Sequence, residues 1–152
     1  MLSPLLESLL DPNHVVLELR GRTGGEAVWE IVEQLGARGD LQNAKAFFEA
    51  VMEREAKSST VANGGVAFPH ARTQLVDELL LGIGRSHEGV LLPGNDNLVR
   101  LLFVLAVPQQ MVNDYLICVG SLARRLNQEA TREALLAAST PAEFFDRLRG
   151  ED

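Results

Sequence analysis

Two hydrophobic periods divide the first half of the chain into helices and a strand. Apolar side chains recur at helical spacing over residues 3–10 and 24–35, and again from the N-cap Asn43 to about residue 57. Residues 14–19 are apolar and rich in β-branched side chains, which predicts the first strand. The buried face of the third helix is predicted to comprise four residues, Ala46, Phe47, Ala50 and Val51.

The second half of the chain changes from strand to helix near residue 111. Residues 79–84 and 98–107 are nearly continuous apolar runs, which is typical of strands covered on both faces. Helices are predicted from 111, over 129–138, and over 141–149. The first of these is expected to bury one stripe, Tyr115, Leu116, Val119, Leu122, Ala123 and Leu126. We therefore predict an α/β sandwich, a small β-sheet flanked by helices, as a single domain over residues 1–152.

Composition and charge narrow the classes of partner. Hydrophobic residues make up 46% of the chain, and 14 basic against 21 acidic side chains give a net charge of −7. This balance argues against nucleic acid and anionic membranes as partners, because both attract basic surfaces. The longest apolar run, residues 101–107, is too short to span a membrane, and the start lacks a signal-peptide pattern. We predict a cytoplasmic protein that binds another protein.

Cysteine and histidine usage gives no sign of a metal or a disulfide. Cys118 is the single cysteine, so no intramolecular disulfide can form, and no Cys/His cluster has metal-ligand spacing. We therefore predict neither a metal site nor an organic cofactor.

The most informative segment is residues 58–72, where a histidine follows a proline. Pro69 has a fixed φ and restricts the preceding Phe68 to extended conformations, so His70 is expected on a stiff loop. Upstream, Asn63-Gly64-Gly65 can adopt positive φ and present backbone N–H groups to an anion. The same pattern also fits an ordinary loop histidine after a hairpin turn, and position alone does not choose between them.

If the segment is functional, a neutral imidazole at His70 can attack phosphorus at neutral pH. Catalysis would then depend on donors aimed at the oxygens of the transferred phosphoryl group. Arg54, Thr60 and the amides of the glycine turn are the candidate donors, and an arginine fork suits phosphate best.

The segment resembles the signature of the fructose/mannitol-type enzyme IIA domains of the bacterial phosphotransferase system, including the nitrogen-regulatory branch. That signature comprises a helical arginine, a Ser/Thr pair, a glycine-rich turn and a Pro-His ending. Here these are Arg54, Ser59-Thr60, Asn63-Gly64 and Gly65-Val66-Ala67-Phe68-Pro69-His70. The similarity continues through residues 79–83 and 101–108 to the helix around Leu116 and Leu122-Ala123.

The resemblance implies an acceptor histidine at the edge of a small mixed sheet. His70 would take a phosphoryl group from an HPr-type carrier, with Arg54 facing the phosphate and Thr60 donating a supporting hydrogen bond. The group would pass to a IIB domain, or phosphorylation would regulate a transporter or kinase. An apolar rim including Phe68, and Met111 or Val112, is expected to dock the partner.

Two positions depart from the family pattern. Many relatives have a second histidine beside the acceptor, where this chain has Tyr115. Tyrosine can donate one hydrogen bond but does not become cationic, and its ring either faces His70 or only packs in the helix stripe. The turn also has fewer glycines than in relatives. A second hypothesis is therefore a regulatory binding module with little or no phosphotransfer, which would control a transporter, kinase or transcription factor by surface contact. Tyr115 and the lack of attached IIB or IIC segments favour regulation over dedicated sugar uptake.

Overall fold

The protein, described by a computed structural model over residues 1–150, has six α-helices within that range. Glu151 and Asp152, which the single-domain prediction included, lie outside the described residues. None of the helices has the length and hydrophobicity needed to cross a membrane, within the range described. The helices are α1 Pro4–Leu9, α2 Gly24–Gly36, α3 Ala44–Lys57, α4 Val112–Leu126, α5 Glu129–Ala137 and α6 Pro141–Arg149.

A mixed six-stranded sheet lies at the centre, and its longest strands are antiparallel neighbours. The strands are β1 Val15–Val16, β2 Val61–Ala62, β3 Val66–Ala67, β4 His70–Thr73, β5 Leu80–Val90 and β6 Val99–Pro108. Their order is β1-β5-β6-β3-β2, and β4 also pairs with β6. Both β3 and β4 run parallel to β6, so they follow each other along the same edge of that strand. The predicted α/β sandwich with a small mixed sheet is confirmed.

The central strand β6 separates two hydrophobic cores. Leu101, Phe103 and Leu105 point into the core that contains buried residues of α1, α4, α5 and α6. Leu102 and Val104 point to the opposite side, into the core that α2 and α3 complete. Because β6 is buried on both faces, the continuous apolar run of the sequence was correctly predicted as a covered strand.

Side-chain caps fix the starts of α2, α3 and α6, whereas α4 and α5 have none. Thr23 and Glu26 form a complete capping box at α2. Asn43 accepts from the Ala46 backbone N–H at α3, and Thr140 caps α6. The predicted caps Asn43 and Thr140 are therefore confirmed.

Three predicted details are wrong. The strand expected over residues 14–19 is reduced to Val15–Val16, because a 3₁₀-helix includes His14 and the pairing with β5 covers only Val15 and Val16. In α3, Ala46 is exposed, since the apolar face follows Phe47 and Val51.

In α4, Leu116 and Ala123 are exposed and fall outside the predicted stripe. Leu122 and Leu126 of the predicted stripe are buried, and Cys118 and Ser121 are buried beside them. Leu116 lies about 200° around the helix from Cys118 at 100° per residue, so both cannot face the same core.

The first and last helices are tied to each other across the fold. Glu7 of α1 accepts from Arg149 of α6 at 2.9 Å. The Ser3 backbone N–H donates to Ser121 Oγ of α4, also at 2.9 Å. These contacts close one layer of helices over the sheet.

Candidate functional site

A groove of about 490 Å³ opens beside the edge strand β4, between α3 and α4. His70 is the first residue of β4 and lies opposite Leu105 of β6. Three cationic side chains, Arg54, Lys57 and Arg72, line the groove with His70. Glu53 also lines it and forms an ion pair with Lys57 at 3.3 Å, so the lining keeps an excess of two positive charges. In a chain with a net charge of −7, this concentration of positive charge suits an anionic ligand.

One hydrogen bond determines which nitrogen of His70 carries the proton. Nδ1 of His70 lies 3.0 Å from the carbonyl oxygen of Phe68. Because a carbonyl oxygen only accepts, Nδ1 must be the N–H donor in a neutral imidazole. The lone pair is then on Nε2, which leaves this nitrogen free to accept a hydrogen bond or to bond an electrophile.

The surroundings of His70 keep its imidazole neutral. Burial is the largest cause and lowers the pKa of His70 below its ordinary value. The positive charges of Arg54 and Arg72 lower this pKa further, against the hydrogen bond to Phe68 and the negative charge of Glu55. At neutral pH the side chain therefore keeps the unprotonated nitrogen that a nucleophile needs.

Tyr115 of α4 lies directly against His70. The two ring centroids are 4.7 Å apart, and the ring planes are inclined by 31°. The hydroxyl oxygen is 3.3 Å from both imidazole nitrogens, so it lies over the ring and on neither lone-pair axis. Of the two alternatives left by the sequence, the structure supports the one in which Tyr115 faces His70. Burial raises the pKa of Tyr115, so its hydroxyl stays neutral.

Arg54 approaches the same groove from the last turn of α3. Its Nη1 donates to the Ser58 carbonyl at 3.0 Å, which steadies the guanidinium at the end of the helix. Its charge lowers the pKa of both His70 and Tyr115. Arg54, His70 and Tyr115, which the sequence analysis proposed together, therefore meet in one groove.

Thr60 is hydrogen-bonded to Glu55, a residue that the sequence pattern does not single out. Its backbone N–H and its hydroxyl both donate to the carboxylate of Glu55, each at 2.7 Å. The same hydroxyl oxygen accepts from the Phe68 backbone N–H at 3.2 Å. Glu55 is only 1% exposed, although its position in the last turn of a helix gave no sequence signal of burial. Thr60 thus contacts the backbone two residues before His70.

The structure does not bring the Asn63-Gly64-Gly65 turn to His70. The turn joins β2 and β3, and Val66 pairs with Leu101, whereas His70 pairs with Leu105. Four residues along a strand separate these points by about 13 Å. The turn therefore does not form the phosphate-binding loop that we predicted.

The glycines of this turn have a structural explanation. Gly64 and Gly65 have φ values of +86° and +77°, which other residues rarely adopt. The Arg132 side chain lies where a Cβ of Gly64 would be, and Arg132 also donates to the Leu126 carbonyl. Close packing and a tight turn account for both glycines.

The predicted apolar rim is only partly present. Phe68 is 8% exposed and packs against Phe103 in the core, with 5.9 Å between the ring centroids. Val112 lines the groove, and Leu116 and Ile117 are more than half exposed on the adjoining part of α4. In the described part of the chain, no three His, Cys, Asp or Glu side chains are arranged to hold a metal ion.

Comparison with protein families places the chain in a known group. Residues 8–150 match the family described as "Phosphoenolpyruvate-dependent sugar phosphotransferase system, EIIA 2".

Individual relatives agree with this match. The fructose-specific EIIABC component from Bacillus subtilis is 29% identical over 148 residues, which cover 97% of this chain but 23% of that protein. The fructose-specific EIIA component from Haloferax volcanii is 33% identical over 111 residues, 72% of each chain. The crystal structure of the nitrogen regulatory protein IIA-Ntr from Neisseria meningitidis aligns with a TM-score of 0.86 and 28% identity. That alignment covers 95% of this chain and 99% of the other.

Proposed function

The chain belongs to the EIIA 2 family of the phosphoenolpyruvate-dependent sugar phosphotransferase system, and we propose that His70 is its phosphoacceptor. Members of this family carry phosphoryl groups in sugar uptake or serve in regulation. The observation that supports His70 is its neutral imidazole, with Nδ1 engaged by Phe68, in a groove with three cationic side chains.

The transfer we propose is an exchange between two imidazoles. The lone pair on Nε2 of His70 attacks the phosphorus of a phosphohistidine on an HPr-type carrier. A new P–Nε2 bond forms as the P–N bond of the carrier breaks. The electron pair of that bond returns to the carrier ring, which leaves as a neutral imidazole because its other nitrogen carries a proton. The proton stays on Nδ1 of His70, hydrogen-bonded to the Phe68 carbonyl, throughout the step. No proton transfer at His70 is therefore needed.

The cations of the groove would stabilise the group in transit. Phosphoryl transfer spreads negative charge over the equatorial oxygens, so catalysis depends on positioning and on positive charge. A guanidinium such as that of Arg54 can present parallel N–H donors to a phosphoryl group. Arg72 adds charge to the groove, whereas Lys57 is paired with Glu53.

The relatives support two proposed destinations of the phosphoryl group. They include fructose-specific components and a nitrogen regulatory protein, which support transfer to a IIB domain or regulation of a transporter or kinase. We propose that the chain acts in the cytoplasm, as one domain, on protein partners and not on nucleic acid or membranes. The single-domain proposal rests on helices from both ends of the chain packing in one layer.

The test is phosphoryl transfer from phosphoenolpyruvate through purified enzyme I and HPr-type carriers, including the nitrogen-branch carrier. The wild type should acquire an acid-labile label, and His70→Gln should acquire none. His87→Gln is the matched control, because His87 is exposed on β5. Equal labelling of His70→Gln and wild type would overturn the assignment of His70.

A second candidate, a regulatory module with little phosphotransfer, is supported by one observation. Tyr115, stacked on His70, has a raised pKa and supplies no positive charge to a phosphorylated neighbour. If folded wild-type protein took no label from any carrier, this candidate would replace the first.

A further inference from the structure

We propose that Glu55 and Thr60 are positioning residues that hold His70 as the Nδ1–H tautomer, acting through the backbone of Phe68. This inference rests on the proposed function of His70 for its effect on transfer. Its effect on the imidazole itself is independent of whether any phosphoryl group arrives.

The proposal starts from an unusual carboxylate. Glu55 is the only acidic side chain that is buried among residues 1–150, with 1% exposure. A buried carboxylate is costly unless hydrogen bonds replace water. Both of its oxygens find donors on Thr60, one from the backbone and one from the hydroxyl, at 2.7 Å each. Bonds to an ionised acceptor are among the stronger ones in proteins, so this pair is firmly oriented.

The carboxylate determines the direction in which the Thr60 hydroxyl points. Because the hydroxyl donates its single hydrogen to Glu55, only its lone pairs remain for other partners. One of them accepts the Phe68 backbone N–H at 3.2 Å. Because of Glu55, the Thr60 hydroxyl can only accept, and not donate, a hydrogen bond on the side of Phe68.

Phe68 transmits this arrangement to the imidazole. Its N–H is held by Thr60, its ring is packed against Phe103, and Pro69 restricts its backbone to extended conformations. The Phe68 carbonyl is thereby fixed where it accepts from Nδ1 of His70 at 3.0 Å. Without this acceptor the proton would be free to occupy Nε2, and that nitrogen would lose the lone pair used for attack.

The test combines the tautomer of His70 with the rate of transfer. Thr60→Val keeps the shape of the side chain and removes the hydroxyl, whereas Thr60→Ser restores it. Glu55→Gln removes the charge and one acceptor oxygen. Glu49→Gln, an exposed position on the same helix, is the matched control.

We expect Thr60→Val and Glu55→Gln to shift the ¹⁵N resonances of His70 toward the Nε2–H tautomer. Transfer at saturating carrier should slow by about 10-fold to 100-fold, because small misplacements of a reacting group have effects of this size. The KM for the carrier should stay unchanged, since neither residue lines the groove. Thr60→Ser should return both readouts to wild-type values.

The proposal is overturned if folded Thr60→Val and Glu55→Gln keep the ¹⁵N shifts of the Glu49→Gln control. It is also overturned if transfer slows only through a higher KM. If the wild type accepts no label, the proposed function fails, but the ¹⁵N shifts still decide whether Glu55 and Thr60 set the tautomer.

Discussion

The glycine turn before β3 and the Pro-His pair at the start of β4 both look like anion sites in the sequence, but only the second lies in the groove. At one end of the β3–β4 edge, the Asn63-Gly64-Gly65 turn has the positive φ values and small side chains typical of an anion site. At the other end, His70 follows Pro69 with no glycine beside it. The first end packs against Arg132, and the second lies in the cationic groove.

The difference lies in which helices reach each end. At His70, α3 from one core layer supplies Arg54, and α4 from the other supplies Tyr115. At the glycine turn, the nearest side chain to Gly64 is Arg132, whose Nη1 donates to the Leu126 carbonyl at 2.8 Å. A reactive site at a sheet edge thus depends on side chains that converge from both layers, more than on the backbone of the loop.

The largest effect should come from Arg54→Gln at the His70 end. Removing one preorganised donor for developing charge slows transfer about a hundredfold, which corresponds to about 2.7 kcal/mol. The measurement is the transfer rate from the carrier, beside the free energy of unfolding, which should change little. Arg124→Gln, at an exposed position on α4, is the control. A rate for Arg54→Gln equal to that of the control would remove Arg54 from the site.

The next effect should come from Gly64→Ala at the turn, and on stability alone. Alanine at φ +86° is strained, and its Cβ must displace Arg132, so unfolding should become easier by about 2 kcal/mol. Gly39→Ala has a similar φ of +84° with open space around it, so it should cost only about 1 kcal/mol. Denaturant unfolding measures both. If folded Gly64→Ala transferred as slowly as Arg54→Gln, the two ends would not be independent.

The smallest effect should come from Tyr115→His. An imidazole can become cationic and form a charge-assisted hydrogen bond to a phosphoryl oxygen, which the neutral Tyr115 cannot. The lifetime of phosphorylated His70 should lengthen about tenfold, or about 1.4 kcal/mol. Tyr115→Phe keeps the stacked ring without the hydroxyl and should remain near the wild-type lifetime. An unchanged lifetime in Tyr115→His would mean that this position does not contact the phosphoryl group.

Much of the fold could be predicted because its signals are local. The N-caps Asn43 and Thr140 hydrogen-bond to residues within four positions along the chain. The continuous apolar run of β6 indicates directly that this strand is buried. The length of β1 could not be predicted, because it depends on the 3₁₀-helix before the strand and on the pairing with β5. In α4, the predicted stripe included Leu122 and Leu126, which are buried, but it also included Leu116 and Ala123, which packing leaves exposed.

The site residues likewise comprise some that the sequence could predict and others that it could not. His70, the proposed acceptor, and Arg54 were identified through a family resemblance, and the structure brings them together. The orientation of Tyr115 could not be deduced, because a helix position does not say which neighbour the ring meets. Glu55 escaped notice since an acidic residue in an amphipathic helix looks solvent-exposed until its donors on Thr60 are seen.

The tie between α1 and α6 has a consequence for synthesis on the ribosome. Glu7 and Arg149 are 142 residues apart in the chain, so roughly 7 to 28 seconds separate their translation. Throughout that interval the apolar side of α1, including the fully buried Leu6, has no finished helical layer to cover it. We expect the apolar side of α1 to remain exposed to chaperones on the nascent chain. We also expect the helical layer that includes Tyr115 to be the last part of the fold to form.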